Sequence, residues 1–135
     1  MVRFIIVCLS NGLLFGMLDG FLNANPFAQK LFAVYKPISK TTINVPAGII
    51  IDLSYGFIMG AIFLLLYSAL PGTSGLQKGI CYGLIVWFFR VVMSVASTWM
   101  MFRVPAGALV YSAMSGLVEM MIIGLIYGLF LKPAA

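Results

Sequence analysis

The sequence predicts an all-α protein: an integral membrane four-helix antiparallel bundle, with a short amphipathic interfacial helix between the first and second spans. Three observations lead there. Apolar residues make up 63% of the 135 and charged residues only 8%, whereas a soluble domain carries about 25% charged residues. A chain so poor in charge cannot cover a water-facing surface. Four stretches, near 3–23, 46–70, 76–102 and 105–131, reach the roughly 20 apolar residues that cross a hydrocarbon core. The basic residues lie mostly at the ends of these stretches or between them, as at membrane interfaces. The length fits a single transmembrane domain over 1–135.

The first span opens the chain as "MVRFIIVCLSNGLLFGMLDGFLNANPFAQ". It carries Asn11 and Asp19 and outruns the apolar region of a signal peptide, about 7–15 residues. It therefore reads as a retained span. The link that follows starts with an N-cap candidate, Asn25, and with Pro26 at the first helical position. Phe27, Leu31 and Val34 then recur at helical spacing, and Pro37 ends the run. With Lys30, Lys36 and Lys40 as its only charges, the segment near 25–37 reads as a basic amphipathic helix lying in the interface.

Spans 2 and 3 are joined by "PGTSG" and spans 3 and 4 by "RVP". Links this short make sequential helices antiparallel neighbours. Pro46 and Pro105 stand where a first helical turn tolerates proline. Four crossings put both termini on one side. Lys30, Lys36, Lys40 and Arg103 fall on the link side; Arg3, Lys78, Lys132 and the amino terminus fall on the other. That balance sets no orientation by charge. The short N-terminal tail favours termini inside, and the basic link favours the reverse.

Lipid tails are as apolar as leucine, so close backbone approach at small residues must hold the spans together. Candidates stand four apart in every span: Gly12, Gly16 and Gly20, Gly56 and Gly60, Gly79 and Gly83, Gly124 and Gly128. The last two point away from Glu119 on their helix. They would leave a face for a second copy of the chain or for a membrane-protein partner.

Each span also carries one charge within its apolar run: Asp19, Asp52, Arg90 and Glu119. Each costs about 2.5–3.5 kcal/mol at mid-membrane on insertion scales, so their recurrence suggests that they meet. At a rise of about 1.5 Å per residue, Arg90 and Glu119 lie roughly 18 and 21 Å from the link side. They are expected to form a salt bridge near the midplane, with Arg90 reaching toward Asp52. Projection at about 100° per residue groups Arg90, Ser94 and Ser97 with Gly79 and Gly83 on span 3. It likewise groups Ser112 and Ser115 with Ala108 and Glu119 on span 4. Asp52 shares a face with Gly56, Met59 and Phe63. On span 1, Phe15 interrupts the stripe that runs from Cys8 through Gly12 to Asp19 and Asn23.

This stripe admits four readings. It could be a satisfied polar core that only fixes helix packing. It could line a cavity for a small solute, ion or lipid headgroup, with transport as the default meaning of intramembrane ionisable groups. It could mark an assembly subunit of a membrane complex. Enzyme chemistry ranks last: three carboxylates could serve acid–base work, yet the sequence has no hydrolase or metalloprotease motif. With no histidine, and with Cys8 and Cys81 in no ligand spacing, neither a metal nor a cofactor is expected. The basic residues form no nucleic-acid footprint.

The segments "NGLLFGMLDGFLN" and "YGFIMGAIFLLLYSALPG", the link of about 20 residues between them and the Glu119-bearing last span resemble a group of small four-span bacterial membrane proteins. That resemblance implies a multi-pass protein of the bacterial inner membrane and brings no particular activity with it.

Overall fold

The computed structural model describes residues 1–40, 42 and 44–133. Four helical rods are long and apolar enough to cross a membrane, and no strand occurs among the described residues. The chain is a small polytopic membrane protein. Helix α1 runs Val2–Ala24. In the link, the Asn25 side chain accepts a hydrogen bond from the Ala28 amide at 2.9 Å and starts α2, Pro26–Leu31. A 3₁₀ stretch, Phe32–Ile38, continues it and holds Pro37 inside its last turn. Lys30, Lys36 and Lys40 are exposed.

Helix α3, Val45–Leu66, is capped by Asn44, whose side chain accepts from the Ala47 amide at 3.1 Å. The turn to the next span needs one left-handed residue, supplied by Gly72 at φ +114°. Ser74 and Gln77 then form a capping box that starts α4, Gly75–Trp87. The third rod is not one regular helix. After α4 comes a π-helical turn, Phe88–Val92, and then α5, Met93–Met101. Helix α6, Ala106–Phe130, closes the bundle.

Glycines zip the rods into two antiparallel pairs. A Cβ on Gly56 would lie 2.9 Å from the Gly12 Cα, and one on Gly60 2.6 Å from the Cys8 Sγ. Thus α1 and α3 touch backbone to backbone. On the other side, Gly79 faces Gly124 and Gly128, and Gly83 faces the Met120 carbonyl. Numbers rise on one helix as they fall on its partner, which is the antiparallel register. Gly124 and Gly128 therefore do not leave a free face for a partner: α4 covers it within the chain. Gly20 meets nothing within 4 Å.

The two pairs join where α1 meets α6. The Asn11 Nδ2 donates to the Ile123 carbonyl at 3.2 Å there. An aromatic cluster ties α3 to α4 and α6. Phe63 packs 5.2 Å from the Tyr82 ring and 5.9 Å from the Tyr127 ring. Tyr82 donates to the Met59 carbonyl at 2.7 Å and Tyr127 to the Gly56 carbonyl. The short "PGTSG" link makes α3 and α4 consecutive, but α4 packs its backbone on α6. Beyond the ring cluster α3 and α4 are separated by an apolar groove.

Candidate functional site

A polar cavity of about 150 Å³ lies on the link-side half of the bundle. Asp19 and Asn23 from α1, Arg90 from the π turn, and Ser112, Ser115 and Glu119 from α6 line it. Asn23, one residue before the end of α1, stands at its mouth. Glu119, thirteen residues into α6, stands about 20 Å from the start of that helix by helical rise.

Glu119 is 3% exposed. It forms no ion pair among the described residues, and its carboxylate faces the cavity. Asp19 is exposed at the upper wall, where Asn23 Nδ2 donates to its Oδ1 at 2.9 Å. Ser115 is buried and its hydroxyl donates to the Ser112 carbonyl at 3.3 Å. Gly116 lies on the same wall: a Cβ there would sit 2.7 Å from the Val91 methyls.

Arg90 departs most from expectation. No salt bridge joins it to Glu119, Asp19 or Asp52, because no ion pair forms among the described residues. The expected mutually paired Asp/Arg/Glu core is absent; of the four charges only Glu119 is buried. Instead the guanidinium carbon lies 4.8 Å from the centre of the Phe15 ring and 5.5 Å from that of Tyr55. Aromatic faces attract a cation through their quadrupole. They do so without consuming its N–H donors, so those donors remain available. Equal depth along two helices placed Arg90 and Glu119 at one level, but depth carries no information about which way a long side chain turns.

Asp52 lies elsewhere. It is half-buried and lines the apolar groove between α1 and α3 with Gly12 and Gly16. A Cβ on Gly16 would sit 2.5 Å from the Asp52 Oδ2, so that glycine makes room for the carboxylate. Ser94 and Ser97 are exposed and do not line the cavity. The π turn is the reason. One extra residue in a turn shifts the phase of everything after it by about 100°. A uniform projection cannot anticipate that slip.

Phe15, which interrupts the polar stripe in projection, is the ring under Arg90. Tyr55 is its second partner, and nothing in its spacing singled it out. The link packs on Tyr111, beside the cavity. Tyr111, next to Ser112, donates to the Leu22 carbonyl and accepts from Asn25 Nδ2 at 3.0 Å. Phe27 and Phe32 each pack 5.7 Å from its ring. Among the described residues no group of His, Cys, Asp or Glu could hold a metal ion.

Compared with known protein families, with characterised proteins and with solved structures, the chain matches none.

Proposed function

We propose that the protein is a membrane-embedded binder of a small cationic group, carried on a solute or a headgroup, which enters the cavity from the link side. The observation that carries this is Glu119. A carboxyl group buried to 3% exposure, facing a polar cavity and lacking an ion-pair partner among the described residues, is costly to ionise at mid-membrane unless a cation enters to meet it. Asp19 and Glu119 outnumber Arg90 on the lining, which favours positive charge. Among the described residues no three His, Cys, Asp or Glu side chains stand together as ligands of a bare metal ion do. A polyatomic cation with several N–H donors suits Asp19 and Glu119 better.

The reading in which charges only fix helix packing has less support. Glycine contacts and the Phe63–Tyr82–Tyr127 cluster hold the rods together, while the charges remain unpaired. We also propose a bacterial inner membrane as its location, an expectation that rests on the sequence pattern of its spans and long first link.

Solvent access tests the proposal. In proteoliposomes, a water-soluble carbodiimide with an amine nucleophile should modify Glu119. In a cysteine-free background, Ser112→Cys and Ser115→Cys should react with a membrane-impermeant thiol reagent from the link side alone. A dry cavity, with none of the three positions reacting, would sink it.

A further inference from the structure

Arg90 lines two spaces at once. On one side is the polar cavity with Glu119 and Asp19. On the other is an apolar groove of about 480 Å³ between α3 and α4, lined by Ile58, Ile62, Leu66, Ile85 and Phe89. The groove exists because α4 packs on α6 rather than on α3, and it faces the lipid. From groove to cavity the chemistry runs in a fixed order: alkyl side chains, then a guanidinium with unspent donors, then carboxylates.

Resting on the reading of the cavity as a cation-binding site, we propose that its ligand is a phospholipid bearing a primary amine, bound with an acyl chain in the α3/α4 groove, its phosphate at Arg90 and its ammonium at Glu119 and Asp19. The order of groups in such a lipid matches the order of surfaces. Arg90 donates to phosphate in the plane of its guanidinium, while the rings of Phe15 and Tyr55 hold it by their faces. The carboxylates accept N–H bonds from a primary ammonium, which a quaternary ammonium cannot donate. The cavity, about 150 Å³, is a space suited to one compact headgroup. The groove runs from Arg90 toward Leu66, at the end of α3 away from the link, so the bound lipid points its head toward the link side.

Native mass spectrometry of the full chain in detergent tests this. The chain is offered equimolar phosphatidylethanolamine, phosphatidylcholine and phosphatidylglycerol with identical acyl chains, and in a separate arm free phosphoethanolamine. The ethanolamine lipid should be retained about tenfold over each of the others, the preference expected from about 1.4 kcal/mol of selective contacts. Glu119→Gln, monodisperse by gel filtration, should bring the preference over phosphatidylglycerol close to unity. Ile62→Trp, which fills the groove, should weaken the lipid and spare free phosphoethanolamine.

Equal retention of the three lipids, or a preference untouched by Glu119→Gln, overturns the proposal. Free phosphoethanolamine binding as tightly as the whole lipid also overturns it, by assigning the site to a soluble amine. Carbodiimide modification of Glu119 without lipid preference removes this inference and leaves the cation site standing. No reaction at Glu119 or at cysteines placed at 112 and 115 removes both.

Discussion

The Arg90 guanidinium carbon lies 4.8 Å from the centre of the Phe15 ring, and no carboxylate pairs with it among the described residues. A cation over an aromatic face is worth about 0.5–2 kcal/mol, the upper end when desolvated. A double-mutant cycle with Arg90→Met and Phe15→Leu should therefore give a coupling of that size, read from unfolding in detergent. A coupling indistinguishable from zero would show that the ring only fills space.

The glycine contacts predict opposite signs at different positions. A Cβ on Gly79 would collide with the Gly124 carbonyl and lie 3.0 Å from the Gly128 Cα. Backbone cannot move aside as a side chain can, so Gly79→Ala should destabilise by about 1–3 kcal/mol, the range for overpacking. Gly20 and Gly48 have open space at the same test. Gly20→Ala and Gly48→Ala should stabilise by roughly 0.5–1 kcal/mol through helix propensity. Thermal unfolding of the three variants in one detergent checks this, and Gly79→Ala as stable as the parent chain would refute the zipper.

Tyr82 and Tyr127 carry buried hydroxyls that bond the Met59 and Gly56 carbonyls of α3. Tyr82→Phe and Tyr127→Phe should each cost about 1 kcal/mol, the net worth of such a bond. The rings stay, so packing around Phe63 is kept. Additive losses in the double variant would assign the cost to two separate bonds. A loss well beyond the sum would show that the α3 connection fails as a unit.

The π turn predicts a difference in labelling along the third rod. Cysteines at Ser94 and Ser97 should react with a lipid-soluble thiol reagent and resist a membrane-impermeant one, in contrast to positions 112 and 115. Deleting Val92 should let the turn close as regular α-helix and leave Ser94 facing outward, because the π turn already absorbs one extra residue, about 100° of phase. Loss of reactivity toward the lipid-soluble reagent at position 94 after the deletion would count against a phase shift at the turn.

The sequence by itself determined solvent and element type. Hydropathy, span length, the Asn25–Pro26 cap and the short links are local properties, so four rods and a short helical link could be read from residues in order. The buried faces of α3 and α6 were legible too, because both rods are regular: Gly56, Met59 and Phe63 on one, Ala108, Ser115 and Glu119 on the other, are all buried. Tertiary structure alone decided which helices pair, since every span offers glycines and only three-dimensional fit selects Gly79 against Gly124. It also decided that Ser94 and Ser97 turn outward, because a π turn changes the helical phase without a marker that spacing reveals. Arg90 shows the difference most clearly. Its depth follows from counting residues, whereas its choice of Phe15 and Tyr55 over Glu119 depends on where a long flexible side chain finds space once four backbones are already in place.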